Sequence, residues 1–477
     1  MSIFGFDAFN DEWENSGDNP GKSGRFEEEV RKLKERLNNS SGSITNIEAL
    51  EEIVNFYLDN EKFEEALHFI NILIKHIPYS ADIWQRKGMA LNNLFRYEEA
   101  LEAYNRAMSL NPVDSDLLIN RGITLDNMNR LDDAIGCFDS ALDLDPANEE
   151  ALFNKAVTLE KMERYDEALQ ILKYLVEGNP ENKEAWYELG FCYDFLERLE
   201  ESLAAYDQNI DLDPYNHNAW YNRGIILNRL GRYHKAVESY DMAIAIHEKF
   251  SAALYNKGNS CANLGRLHEA LECYKEALRY EPNDVAAWHN MGNAHEELGQ
   301  YREAIKCFTN AIKIDKKHYE SYFGRGSCYD SLEQYTRALN DYNRALAINR
   351  DYPELWYAKA DAEYNLGKLW EAISSYRIVT KLDPHNAEAW LDLGSTLHEF
   401  GNPEEALIAL NTAIELRGEL FEPHFVKGKV LLSLRRYVEA MESFKRSFEY
   451  DASKIQEFKD EFGDNPMVAK LLRLIKK

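Results

Sequence analysis

Residues 98–101 read EEAL, and near-copies return at 132–135 (DDAI), 166–169 (DEAL), 269–271 (EAL), 303–305 (EAI) and 404–407 (EEAL). Their alanines form one series: Ala66, Ala100, Ala134, Ala168, Ala236, Ala270, Ala304, Ala338, Ala372, Ala406 and Ala440. Every interval is 34 residues or a multiple of it, and the one gap holds another small residue, Ser202. A fixed period overrides the usual inference from length to domain count. The 477 residues therefore carry twelve repeats in unbroken register from Ile47 to about Asp451.

With Ile47, Ala81 and Ser115 as position 1, the other positions fall into line. Position 8 is Gly or Ala in every repeat after the first, as in Gly88, Gly122 and Ala156. Position 4 is Trp in six: Trp84, Trp186, Trp220, Trp288, Trp356 and Trp390. Position 24 is mostly aromatic, as in Tyr104, Phe138 and Tyr206, and position 32 is Pro in seven repeats. Positions 4, 8 and 11 share one helix face, so a small residue at 8 lets a second helix approach. Acidic residues at 18 and 19 suit the positive end of that helix. Gly231, Gly265, Gly299 and Gly367 stand where the first helix must stop and turn. Pro at 32 predicts the end of the second helix; repeats 6, 8, 9, 11 and 12 lack it, so looser boundaries are expected there.

This pattern resembles the tetratricopeptide-repeat (TPR) family. The resemblance implies an all-α, right-handed superhelical solenoid of twelve 34-residue helix-turn-helix repeats, with first helices lining a concave face and terminal capping helices closing the ends. Repeat 1, with Leu50 and Val54 at the signature positions, departs from the pattern as an end repeat does.

The ends read differently. Residues 1–25 are polar and acidic and are expected to be disordered, carrying an aromatic motif of Phe4, Phe6, Phe9 and Trp13. Residues 26–46 predict an N-terminal capping helix, with a stripe of Phe26, Val30, Leu33 and Leu37, followed by a linker. Repeats occupy 47–452. Residues 453–477 predict C-terminal capping helices: Ser453 and Gln456 have capping-box spacing, Phe458 and Phe462 share a face, and a last helix carries Val468, Leu471, Leu472 and Ile475.

Net charge is −28. That balance opposes nucleic-acid and anionic-membrane binding and favours a basic or apolar-basic partner. No secretory signal and no run of about 18 apolar residues is found. The six Cys form no C-x-x-C pair, which reads as reduced thiols in a cytoplasmic protein. They fall at repeat positions 10, 11 or 23, a packing placement. No phosphate loop, H-E-x-x-H or zinc-knuckle spacing occurs, so no enzyme, metal or cofactor is expected. O-linked N-acetylglucosamine transferases resemble the chain in their repeats, but their catalytic domain has no counterpart in it.

On a helical wheel of about 100° per residue, positions 2, 5, 6, 9 and 13 oppose the 4/8/11 face and point into the groove. Position 5 supplies Phe153, Tyr187, Tyr221 and Tyr255; position 6 supplies Asn120, Asn154, Asn222 and Asn256, interrupted by Glu188. Position 9 supplies Ile123, Val157, Phe191 and Ile225, then turns polar; position 2 gives an acidic rim of Asp116, Glu150 and Glu184. An Asn amide pairs with peptide backbone whatever its sequence. The row resembles the asparagine ladder of the transferase repeats; bridging between neighbouring repeats is the other reading. For the aromatic row, ligand contact and packing are both open. No Lys or Arg stands at position 5, so the carboxylate clamp of chaperone-binding relatives is not expected. The sequence thus predicts a non-catalytic scaffold for a peptide or partner protein in the concave groove. Self-association through the caps or convex face is the alternative, and an accessory subunit of an enzyme complex a distant one.

Overall fold

The computed structural model describes residue 31 and residues 43–462. The aromatic leader, the stripe at 26–37 and the last helix predicted at 466–477 lie outside the described residues. Among the described residues the chain is all helical, and twenty-four helices follow one another in pairs. A typical pair is Lys183–Phe195 and Leu199–Leu212. The first described helix, Ser43–Asp59, starts four residues before Ile47.

The pairing follows from the repeat positions. All eleven alanines of the series are fully buried, and so is Ser202, whose hydroxyl donates to the Gly190 carbonyl at 2.7 Å. Except in repeat 11, where Gly394 meets Leu410, the position 8 glycine faces the position 24 ring of its own repeat. A Cβ on Gly122 would stand 2.5 Å from Phe138, and one on Gly258 2.6 Å from Tyr274. Those rings are among the most deeply buried side chains, each worth about 2–3 kcal/mol of apolar burial.

Turns and ends are set by backbone. Position 15 has positive φ in every repeat: five glycines, such as Gly299 at 70°, and seven other residues, such as Glu333 at 58°. Asp114, Asn148, Asn182, Asn216, Asp284 and Asn386 cap first helices by accepting from the third residue on. The looser ends expected without Pro are not found. Second helices of repeats 6, 8, 9, 11 and 12 end at Ile246, Ile314, Ile348, Leu416 and Tyr450, the same position as in Pro-bearing repeats. The next residue turns extended and returns its N–H to position 27, as His247 does to Ala243 at 2.9 Å.

The chain divides into two units, Met1–Glu248 and Lys249–Lys477. In the second, Phe458 is fully buried, its ring 4.6 Å from Phe444 and 5.2 Å from Phe448. Asp451, rather than Ser453, caps the segment. Its Oδ1 accepts from the Ser453 N–H at 3.0 Å, because a short 3-10 turn precedes the helix Ile455–Phe462.

Candidate functional site

The twelve groove candidates are all half-buried, and the rim residues Asp116, Glu150 and Glu184 are exposed. Those from Asn120 to Ile225 belong to the first unit; Tyr255 and Asn256 occupy the same repeat positions in the second.

Position 5 does not oppose the sister helix as the wheel has it. The Tyr187 ring meets Tyr206 edge-on at 5.7 Å, and Tyr221 lies 6.0 Å from Tyr240. Tyr255 does the same with Tyr274 at 6.0 Å, and Phe153 packs on the core. The large position 24 ring reaches past the glycine and carries the position 5 ring on its flank. The Asn row bonds inward. Asn120 donates to the Asp116 carbonyl and Asn154 to that of Glu150, both at 2.8 Å. Asn222 donates to the Tyr187 hydroxyl at 2.9 Å, bridging repeats 5 and 6, and Asn290 treats Tyr255 alike at 2.9 Å. Asn290 also donates to the Asn259 side-chain carbonyl at 2.9 Å, so there both amide hydrogens serve the fold.

Position 7, rich in Lys and Arg, points to the second helices. Lys155 pairs with Asp139 at 2.6 Å, Arg223 with Asp207 at 2.6 Å and Arg325 with Asp341 at 2.7 Å. Positions 5, 6 and 9 of repeats 3 to 6 therefore hold apolar, aromatic, amide and acidic groups, while the basic residues at position 13, Lys161 and Arg229, are paired with Asp126 and Asp194.

Repeats 4 and 5 gather a cluster that the sequence reading did not single out. Tyr165 stacks on Phe195 at 4.7 Å, and Phe191 lies 4.7 Å from Phe195 and 6.5 Å from Tyr165. Phe195 is 48% exposed. Glu160 is only 8% exposed and accepts from the Cys192 thiol at 3.1 Å. Burial and the neighbouring charge of Glu188 push the Glu160 carboxyl far above the usual range, and burial raises Glu188 as well. Burial likewise raises the Cys192 thiol, so the pair keeps a proton. Phe195 could have been found at position 13. Glu160 could not, since a helix pattern reads an isolated Glu as solvated.

No group of three or more metal-ligating side chains is assembled among the described residues, and no helix there is long and apolar enough to cross a membrane.

Known proteins give the following likenesses. Models described as tetratricopeptide repeat match residues 81–113, 217–250, 285–318 and 319–352, and another 357–419; one described as TPR repeat matches 258–299. A model of anaphase-promoting complex, cyclosome, subunit 3 matches 127–209, and one of the protein prenyltransferase alpha subunit repeat 199–230. No curated protein matches the chain. Among solved structures, YrrB, titled a TPR protein with an unusual peptide-binding site, is 26% identical, covering 42% of this chain and 99% of its own, at TM-score 0.36. MamA from Desulfovibrio magneticus RS-1 is 26% identical over 36% of this chain and 96% of its own, at TM-score 0.34. The APC/C hetero-tetramer Cut9-Hcn1 is 14% identical over 96% and 94%, at TM-score 0.39.

Proposed function

The chain belongs to the tetratricopeptide-repeat family, and from that premise we propose that it is a non-catalytic scaffold holding an extended or helical segment of a partner on the first helices of repeats 3 to 6. One observation carries the reading. Ile123, Val157, Phe191 and Ile225 stand half-exposed at position 9 of four successive repeats, with carboxylates Asp116, Glu150 and Glu184 exposed at position 2 of the first three. Apolar anchors within a charged rim are the composition of binding hot spots. The net charge of −28 favours a segment that mixes apolar and basic side chains. Asn120, Asn154 and Asn222 are placed to pair with its backbone, and Tyr255 and Asn256 repeat the same chemistry in repeat 7. Six free, buried thiols agree with a reducing, cytoplasmic setting.

The test uses the partner captured by the full chain and identified by mass spectrometry. Changing Tyr187, Phe191 and Tyr221 to Ala together should weaken its binding by about 30-fold or more, on the hot-spot scale of about 2 kcal/mol. Tyr187 and Tyr221 also pack on Tyr206 and Tyr240, so helicity is measured alongside. Unchanged affinity in a folded triple variant removes the site from these repeats. Self-association is the second reading, favoured by the exposed pair Trp370 and Phe400, 5.8 Å apart in the second unit. Sedimentation of the purified chain across concentration reads it.

A further inference from the structure

Tyr165, Phe191 and Phe195 form an aromatic surface between repeats 4 and 5, with Tyr165 and Phe195 stacked at 4.7 Å and Phe195 half in solvent. An apolar surface alone names no occupant; its surroundings do. Glu163, two residues before Tyr165, is exposed; Glu160 is nearly buried, accepts from the Cys192 thiol and shares a hydrogen bond with the half-buried Glu188. Among the described residues neither Glu160 nor Glu188 makes an ion pair. Lys161, next to Glu160 in sequence, is paired with Asp126. Glu188 also breaks the Asn row, so at this one repeat a groove amide is replaced by an acid. A guanidinium differs from an ammonium in stacking flat on rings while its edge meets a carboxylate in two parallel hydrogen bonds.

We propose that this surface is the seat of an arginine side chain of the bound segment, its plane on the exposed side of Phe195 and its N–H edge toward Glu188. This rests on the groove reading and deepens it. Crowded as they are, Glu160 and Glu188 do not both ionise in the free chain. The arriving guanidinium supplies the missing counter-charge, and the flanking apolar side chains of the segment cover Phe191. Lysine carries the same charge but neither the plane nor the fork, so arginine is preferred.

The test uses the full chain and three fluorescein-labelled peptides, Gly-Ala-Leu-Leu-Xaa-Leu-Leu-Ala-Gly, with Xaa arginine, lysine or norleucine, read by anisotropy at low salt. The arginine peptide should bind about tenfold tighter than the norleucine peptide, with lysine between. Glu188→Gln should erase that advantage while leaving norleucine affinity in place. Phe195→Ala should also reduce it, with helicity measured alongside because Phe195 packs on Tyr165 and Phe191. Equal binding of arginine and norleucine peptides, or an arginine advantage that survives Glu188→Gln, overturns the subsite. If the norleucine peptide still binds and loses affinity in the Tyr187, Phe191 and Tyr221 triple variant, the groove stands without it. Binding of none of the three overturns both.

Discussion

The indole N–H of Trp186 donates a 3.0 Å hydrogen bond to the carbonyl of Pro180. The two belong to successive repeats, so the bond ties the start of one helix pair to the end of the previous one. Trp84 with Pro78, Trp220 with Pro214, Trp288 with Pro282 and Trp390 with Pro384 repeat it at 2.9–3.0 Å. Trp356 makes it to Arg350 at 2.8 Å, and His424 joins Gly418 at 3.0 Å. The acceptor is backbone, so the bond persists where Arg350 or Gly418 stands at position 32 in place of proline.

Replacing Trp186 by Phe keeps most of the apolar contact and removes the donor. The Pro180 carbonyl is then left to water, at a cost of about 1 kcal/mol. Urea denaturation of the variant should show a lower midpoint. An unchanged midpoint would mean the bond adds nothing to the register.

Gly122 and Phe138 form a steric pair. A methyl at position 122 would stand 2.5 Å from the ring, so Gly122→Ala should destabilise by about 2 kcal/mol. The next repeat pairs Ala156 with the smaller Leu172. Adding Phe138→Leu should recover much of the loss, and a double-mutant cycle on melting temperatures reads the coupling. Simple additivity would contradict the pairing.

Much of this was legible before any coordinates. The alanine series at intervals of 34 placed the helix pairs, and the glycines at position 8 announced a close approach. What the wheel missed has a physical cause. It treats a helix as a cylinder with independent faces, whereas the Tyr206 ring is long enough to reach around to Tyr187, at 5.7 Å. Glu160 was illegible for another reason. Its hydrogen-bond partner, Cys192, belongs to the following repeat, 32 residues on, and no local pattern carries that information. Position 15 was half legible: Gly231, Gly265, Gly299 and Gly367 marked it, but Phe95, Asn129 and Glu333 hold the same left-handed backbone because the pair of helices imposes it.

That backbone costs a residue with a Cβ about 1 kcal/mol. Glu333, at φ 58°, makes no ion pair among the described residues, so Glu333→Gly should stabilise by roughly 1 kcal/mol less the entropy glycine adds to the unfolded chain. Gly299→Ala should do the opposite by a similar amount. Thermal denaturation of the two variants checks both signs, and a destabilised Glu333→Gly would show that the turn tolerates its side chain without strain.

Asp361 gives a prediction in pH. Burial raises its carboxyl from 3.8 to about 6, against the hydrogen bond it accepts from the Tyr376 hydroxyl and helped by the charges of Asp392 and Asp330. Between those values the unfolded chain has released the proton while the folded chain still holds it. Stability therefore falls as pH rises through that window and levels off above it, since the slope follows the difference in bound protons. Asp361→Asn keeps an oxygen for Tyr376 but removes the ionisation. Near pH 4 it should match the parent; near pH 7.5 it should be more stable, on the order of 1 kcal/mol after allowance for screening. The background of −28 net charge acts on both proteins alike, so the difference between their denaturation midpoints isolates this residue. A difference that stays constant from the acid to the neutral measurement would mean that Asp361 titrates as an ordinary surface carboxylate. Burial against the Tyr376 ring would then have no bearing on its charge.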